Sequence, residues 1–212
     1  MLYLKSFCFN PFQENTYLVY DENNTAFIID PGNSDADEDK ELMNFITEKK
    51  LNLTRLLLTH AHIDHILGND FILEEYGLYP EVHTDDVIFI ERMTQSAAMY
   101  GVQCNPSALP KKLIADGDKI MLGKYEFLCI HTPGHSPGSI CFYNRENKIL
   151  IGGDVLFNGS IGRSDLPRGD HETLIRSIRE KILTLGNDIR VYPGHGPHTI
   201  TGYEEKHNPF LT

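Results

Sequence analysis

The feature that most constrains this chain is a dense group of metal-binding side chains directly after an apolar run. Residues 59–65 read THAHIDH and follow the run LTRLLL, which is typical of a short buried strand. Side chains alternate along an extended chain, so His60 and His62 can face the same side and bind one ion through neutral imidazole nitrogens. Asp64 and His65 are adjacent, and we expect the start of a helix to turn both of them towards a second ion. The pattern therefore predicts a strand that ends at a site for two metal ions.

Three further candidate ligands share one context, in which an apolar strand is followed by a Gly or Pro turn and a metal-competent side chain. The segments are FLCIHTPGH, which ends at His135, ILIGGD, which ends at Asp154, and RVYPGH, which ends at His195. Strand ends from distant parts of a sequence can converge on one rim of a rigid sheet, where we expect these ligands to meet. The other five histidines are interpreted as structural, although His198 is close enough in sequence to line the mouth of the site: His83, His131, His171, His198 and His207.

The periodicity of the apolar residues predicts a layered α/β fold. Strand-like runs alternate with helical segments, and helices are predicted at Asp39–Lys49, Asp64–Tyr76, within Asp85–Tyr100 and around Leu174–Leu185. Residues 101–112 are predicted to form a long irregular loop, a type that often covers an active site. Because strands precede a helix in both halves of the chain, we expect two β-sheets packed face to face with helices outside, around one shared core.

Composition argues against several classes of protein. A chain of 212 residues can bury one sizeable core, so residues 1–212 are expected to form a single domain. The net charge of −11, without a cluster of lysine or arginine, argues against a nucleic-acid partner. No apolar run is long enough to cross a bilayer, and the N-terminus lacks the pattern of a secretory signal. We therefore expect a cytoplasmic protein that acts on a small molecule and does not bind membranes.

These motifs resemble the metallo-β-lactamase superfamily, whose signature HxHxDH stands here as HAHIDH. The resemblance runs from about Asn15 to Pro209 and implies a four-layer αββα sandwich of two mixed β-sheets, with the metal site along one edge. It also implies a division of the ligands, with Asp154 as a bridge between the two ions. The first ion would be bound by His60, His62 and His135, and the second by Asp64, His65 and His195.

Within the superfamily, the phrases TPGHSPGS, GGDVLF, SIGRSDLP and YPGHGP are similar to compact relatives of hydroxyacylglutathione hydrolase, or glyoxalase II. This similarity implies hydrolysis of a thioester of the S-D-lactoylglutathione type by a hydroxide that bridges two divalent ions, zinc first, with iron or manganese as alternatives. Asp154 would set the spacing of the ions and Asp64 would orient the hydroxide, so both are candidate catalytic residues. Only 17 residues follow His195, which leaves no room for the helical C-terminal domain with which longer relatives hold glutathione.

Arg163 is the candidate for substrate binding. It follows Asp154 by nine residues, so its two-pronged guanidinium can project beside the metals and pair with a substrate carboxylate. A surface ion pair with Asp165 or Asp170 explains the same residue equally well.

Other activities fit the same ligand set. A lactonase and a mono-iron persulfide dioxygenase share the scaffold histidines and stay open as alternatives. A β-lactamase is disfavoured, because members of that branch usually carry cysteine at the place of Asp154. A non-catalytic metal-binding protein is the alternative from a different class, and it is disfavoured because structural zinc sites are usually closed and often thiolate-rich.

Overall fold

Two six-stranded β-sheets form the framework of the protein, in a computed structural model that describes all 212 residues. The N-terminal sheet has its strands in sequence order: β1 (Tyr3–Phe9), β2 (Glu14–Tyr20), β3 (Thr25–Ile29), β4 (Asn52–Leu57), β5 (Pro80–His83) and β6 (Lys112–Ile114). The C-terminal half contributes the remaining strands: β7 (Lys119–Leu122), β8 (Tyr125–His131), β9 (Ile140–Asn144), β10 (Ile149–Gly153), the short hairpin β11 (Leu156–Phe157) and β12 (Ser160–Ile161), β13 (Arg190–Pro193) and β14 (Thr199–Ile200).

The second sheet has the order β14-β13-β10-β9-β8-β7, and the β11–β12 hairpin stands apart from it. Both sheets are mixed. In the first sheet β1, β2 and β3 pair in antiparallel fashion while β3 to β6 are parallel, and in the second sheet only β10 and β13 are parallel. The prediction of two mixed sheets is confirmed.

Alternation along the strands divides the core into three apolar layers. On β3, Phe27 and Ile29 face the second sheet and join a cluster that includes Phe127 of β8. The intervening Ile28 faces the opposite way and packs in the cluster that holds Leu42 of the first helix. A third cluster lies between the outer face of the second sheet and the helix that begins at residue 171. Helices therefore cover both outer faces, which is the expected αββα order of layers.

Six α-helices connect the strands, and none of them is long and apolar enough to cross a lipid bilayer. They are α1 (Ala36–Lys49), α2 (Asn69–Tyr76), α3 (Val87–Glu91), α4 (Met93–Tyr100), α5 (His171–Ser177) and α6 (Thr201–His207). The Asp35 side chain caps α1 by accepting the backbone N–H groups of Asp37 and Glu38, and Lys50 ends the helix with a left-handed φ of 53°. The boundaries of this helix agree with the sequence prediction to within three residues at its start.

Two predicted helices differ from the structure. The helix predicted from Asp64 begins only at Asn69, because residues Ile63–His65 form a single 3₁₀ turn. Gly68 then packs so closely on Asn33 that any side chain at residue 68 would collide with it. The helix predicted around Leu174–Leu185 starts as α5 but widens into a π-helical turn at Ile178–Ile182 and ends in a 3₁₀ turn.

The predicted irregular loop is present, since residues 101–111 contain no helix or strand. It does not cover the metal-binding side chains, however. Val102, Cys104 and Asn105 line a separate cavity beside α2 and α4, and no residue of the loop lines the cavity that contains His62 and His195.

Candidate metal centre

The seven predicted ligands meet at one edge of the sandwich. His60 follows β4, His135 follows β8, Asp154 follows β10 and His195 follows β13. The remaining three lie in and next to the 3₁₀ turn after β4: His62, Asp64 and His65. Strand ends thus deliver the ligands from four separate parts of the chain to one place, as the sequence pattern indicates.

Three imidazoles form the first group. The Nε2 atom of His135 lies 3.1 Å from His60 Nε2 and 2.8 Å from His62 Nδ1. His60 and His135 are buried, with 1% and 2% of their surface exposed. Three ring nitrogens converge here on one point within the protein, the arrangement that a divalent ion requires of neutral histidine ligands.

The second group combines one carboxylate with two imidazoles. Asp64 Oδ2 lies 3.1 Å from His195 Nε2 and 3.6 Å from His65 Nε2. The 3₁₀ turn places Asp64 and His65 together because His65 N–H donates to the His62 carbonyl, 3.1 Å away. A helix would have continued the chain along one axis, whereas this turn directs both side chains towards His195.

Asp154 lies between the two groups. Its Oδ2 is 3.5 Å from His135 Nε2 in the first group and 3.6 Å from His195 Nε2 in the second. Its Oδ1 is 3.5 Å from His65 Nε2. One carboxylate therefore faces both groups at once.

The outward hydrogen bonds of the histidines determine which nitrogen faces the centre. His135 Nδ1 lies 2.7 Å from the Arg163 carbonyl, and His195 Nδ1 lies 3.1 Å from the Phe12 carbonyl. A carbonyl can only accept, so these Nδ1 atoms carry the protons and each Nε2 lone pair points into the centre. Metal-bound histidines show this same outward donation to a carbonyl or carboxylate.

Two buried polar atoms at the centre lack any hydrogen-bond partner in the protein. They are His65 Nε2 and Asp154 Oδ1, and both point between the two groups. Such atoms are rare in folded proteins because an unpaired buried polar atom costs free energy. A nitrogen and a carboxylate oxygen that lack a donor fit a bound cation, so these residues fit a pair of divalent ions.

The two groups differ in their affinity for protons. Burial and the neighbouring imidazoles hold the pKa of His60 well below its usual value and lower the pKa of His62 to about 3. Burial alone would also lower the pKa of His65 and His195, but negative charges led by that of Asp64 outweigh it and raise the pKa of both. Without metal, His60 and His62 are therefore held in the neutral form, whereas His65 and His195 bind protons more readily than a free imidazole.

Comparison with known proteins agrees with this geometry. The family model of the metallo-beta-lactamase superfamily matches residues 9–195. The chain belongs to this superfamily. It is 41% identical over 203 residues to the hydroxyacylglutathione hydrolase GloC of Haemophilus influenzae, an alignment that covers 94% of this chain and 93% of that protein.

Two solved structures of superfamily relatives superpose on nearly the whole chain. BLEG-1 B3 metallo-beta-lactamase has a TM-score of 0.91 with 36% identity and covers 99% of this chain and 100% of its own. TTHA1623, solved in a di-iron-bound form, has a TM-score of 0.88 with 36% identity and covers 98% of this chain and 100% of its own. These relatives and the ligand clusters establish the broad class of the protein, which is a metallo-hydrolase.

Two buried aspartates hold the ligand loops in place. The sequence patterns did not predict this role for either of them. Asp30 accepts the backbone N–H of Thr59 at 2.7 Å, its hydroxyl at 2.5 Å and the Nδ1–H of His65 at 3.2 Å. Asp86 accepts the N–H of Ala61 at 3.0 Å and of Gly138 at 2.6 Å, together with the Ser136 hydroxyl. Asp30 thus orients the second group, and Asp86 connects the loop of His60 to the loop of His135.

A cavity of about 540 Å³ opens over the centre of this superfamily member. His62, Asp64, His135, Asp154 and His195 form its polar floor, while much of its wall is apolar and comes from Phe12, Phe89, Met93, Met99, Tyr100 and Leu166. Arg163 also lines the cavity and is the one basic side chain besides the histidines that does so. Its guanidinium forms a two-pronged ion pair with Asp165, with N···O distances of 2.8 and 2.7 Å.

Proposed function

We propose that this protein hydrolyses a thioester of the S-D-lactoylglutathione type to a hydroxy acid and a free thiol, with the help of two divalent ions. The observation that carries the proposal is the position of Asp154, whose Oδ2 lies 3.5 Å from one ligand group and 3.6 Å from the other. The 41% identity to a hydroxyacylglutathione hydrolase over most of both chains supports this substrate class.

Each group of side chains would hold one ion. His60, His62 and His135 bind the first, Asp64, His65 and His195 bind the second, and Asp154 is shared. Zinc suits a set of imidazole and carboxylate donors, as do iron and manganese. The di-iron form of TTHA1623, which is 36% identical, makes iron the first alternative to test.

When bound, the ion pair supplies an activated water as nucleophile and polarises the thioester carbonyl. Asp154 fixes the distance between the two ligand groups, and Asp64, whose side chain is 16% exposed to the cavity, accepts a hydrogen bond from the attacking water and orients it. Water adds to the acyl carbon and loses one proton to solvent, the C–S bond breaks, and the sulfur leaves as a thiolate, which needs little help from a general acid and takes up a proton from solvent after release. The apolar cavity wall excludes other water from the reacting carbonyl.

The direct test is turnover of S-D-lactoylglutathione by protein loaded with zinc, iron or manganese. We expect thiol release by the wild type and at least about a hundredfold lower kcat in Asp154→Asn, since a catalytic centre that loses a shared charged ligand loses affinity and charge stabilisation. Asp188→Asn is the matched control, because this carboxylate is 64% exposed and pairs with Lys148 rather than with any residue of the centre or the cavity. Full metal content without hydrolysis of any thioester would refute the proposal.

β-Lactam hydrolysis is a second candidate, and the 36% identity to BLEG-1 B3 metallo-beta-lactamase is the reason to test it. A β-lactam carbonyl presents the same electrophile to the centre, but the departing amine needs a proton that a thiolate does not. The same preparation should therefore be assayed with a chromogenic cephalosporin, a lactone and, in an oxygen electrode, glutathione persulfide. We expect the kcat/KM for the thioester to exceed those for the cephalosporin, the lactone and the persulfide.

A further inference from the structure

Outside the metal centre, the fold brings together two histidines that are distant in sequence. His83 ends β5 of the first sheet and His131 ends β8 of the second, and their rings stack with centroids 4.2 Å apart and planes 12° apart. Asp85 follows in the 3₁₀ turn after β5, with its Oδ2 atom 3.6 Å from His83 Nδ1. One ligand atom from each of these three residues lies within 4.8 Å of the other two.

Hydrogen bonds leave His131 with a nitrogen available for a ligand. Its Nε2 lies 2.8 Å from the Pro137 carbonyl, which can only accept, so Nε2 carries the proton and Nδ1 is a lone-pair donor. The backbone of the same residue is fixed at both polar groups: its N–H donates to Asp116 at 2.7 Å and its carbonyl accepts from Lys181 at 2.6 Å. These hydrogen bonds hold the backbone of His131 in place and leave Nδ1 of its ring without a partner.

His83 can provide the second imidazole, since its Nδ1 accepts only a long hydrogen bond, 3.3 Å from the backbone N–H of Asp85. Its side chain is only 12% exposed, and burial together with the neighbouring His131 ring lowers its pKa, so the ring is neutral at neutral pH. No lysine or arginine pairs with the Asp85 carboxylate, since Arg168 donates to the Asp85 backbone carbonyl instead. The rings of His83 and His131 thus lie beside one carboxylate that has no lysine or arginine partner.

We propose that His83, Asp85 and His131 form a divalent-metal site, separate from the catalytic centre, that ties the two sheets together. Two imidazoles and one carboxylate favour zinc, nickel or copper over magnesium and calcium. Ligand atoms around tetrahedral zinc lie about 3.3 Å apart, given Zn–N bonds near 2.0 Å. The Asp85 side chain is 49% exposed and can rotate to close the gap, while the two rings tilt out of their parallel stack.

The proposal does not depend on the activity of the catalytic centre, because its readouts are metal content and thermal stability. Protein equilibrated with excess zinc and passed through a gel-filtration column should retain one more zinc per chain than the His83→Asn and Asp85→Asn variants. Asp85→Asn keeps the side-chain volume at an exposed position, so a loss in this variant reports on ligation rather than on folding. His207→Asn is the matched control, since His207 also stacks on an aromatic ring but has no carboxylate partner.

Two further measurements complete the test. Zinc should raise the Tm of the wild type more than that of Asp85→Asn, because an ion bound only by the native state stabilises it. In Asp154→Ala, which weakens the catalytic centre, one zinc should still be retained and should be lost on the additional change His83→Asn. Equal zinc content in the wild type, His83→Asn and Asp85→Asn would overturn the proposal, as would a wild type that binds no zinc beyond the centre.

Discussion

Replacement of Asp86 by alanine should separate the stability of the ligand loops from the chemistry of the ligands. The Asp86 side chain is fully buried and accepts three hydrogen bonds, from the N–H groups of Ala61 and Gly138 and from the Ser136 hydroxyl. Ala61 lies between two ligands, and Ser136 directly follows a third. The substitution therefore leaves three buried donors unpaired in the two loops that carry the first ligand group.

The expected loss follows from the number of unpaired groups. Each buried donor without a partner costs about 1–3 kcal/mol, so three of them set an upper range of about 3–9 kcal/mol. Water that enters the space of the deleted carboxylate satisfies some of them, which brings the expected loss of unfolding free energy to about 3–5 kcal/mol. Asp86→Asn keeps one acceptor oxygen and turns an amide N–H₂ towards one donor, so about 1–3 kcal/mol is expected.

Urea denaturation of the metal-free proteins at one pH measures these differences directly. Asp85→Ala is the matched control: the Asp85 carboxylate is next in sequence to Asp86 but is 49% exposed, so its removal should change the free energy of unfolding by less than about 0.5 kcal/mol. In the folded Asp86→Asn protein, zinc affinity at the centre should fall by about 10–100-fold, as for other groups that support metal ligands. An Asp86→Ala protein within about 1 kcal/mol of the wild type would refute the reasoning, because three unpaired donors cannot cost so little.

Three other predictions concern the cavity, the packing around the centre and the protons. Arg163→Ala should raise the KM for an anionic thioester by about tenfold, the typical effect of losing a charge-assisted hydrogen bond. Asp165→Ala should lower the KM, because it frees the Arg163 guanidinium from its ion pair. An unchanged KM in both variants would exclude the role of Arg163 in substrate binding. Gly194→Ala should lose bound metal and activity, because its Cβ would collide with Asp154 and His65. Gly152→Ala is the control and should keep both, because its Cβ would meet Val191 at 3.4 Å, and metal analysis of the two purified variants distinguishes the outcomes. Metal-free protein can be titrated with zinc at pH 7 in a calorimeter, in two buffers of different ionisation enthalpy. One equivalent of zinc should release protons and the other almost none, because the pKa values of His65 and His195 are raised and those of His60 and His62 are lowered. Equal proton release by both equivalents of zinc would contradict the difference in protonation between the two ligand groups.

Local sequence patterns were sufficient to predict the positions of the candidate ligands. The run before His60 is a strand in the structure, and His135, Asp154 and His195 each follow a strand of the second sheet. Their convergence was predictable because an apolar strand of a sandwich must be buried and its end must therefore reach the rim. The two sheets with outer helices were predictable for the same reason, from alternating and helical periods.

Features that depend on pairing between distant segments were not predictable. The strands β5 and β6 have only 4 and 3 residues, too few to show a clear alternation of apolar and polar side chains, and β6 lies at the edge of its sheet. The helix predicted from Asp64 begins only at Asn69, and a 3₁₀ turn stands at its predicted start because contacts of the ligand loop outweigh helix propensity there. The sequence indicates only structural roles for His83 and His131, and it is the packing of one sheet on the other that brings their rings into contact.

The role of Asp30 in orienting His65 is the clearest example of a feature that local sequence patterns do not predict. The segment Asp30-Pro31-Gly32 has the composition of a turn, and the φ of 51° at Asp30 agrees with that interpretation. Its second role arises from the parallel pairing of β3 with β4, in which Ile29 lies opposite Leu57 and the Asp30 N–H donates to the Leu57 carbonyl at 3.0 Å. This register places the Asp30 carboxylate beside the loop that follows β4, where it accepts hydrogen bonds from Thr59 and His65. A shift of the register by one residue would turn the carboxylate to the other face, so the orientation of His65 depends on strand pairing as well as on the HxHxDH motif.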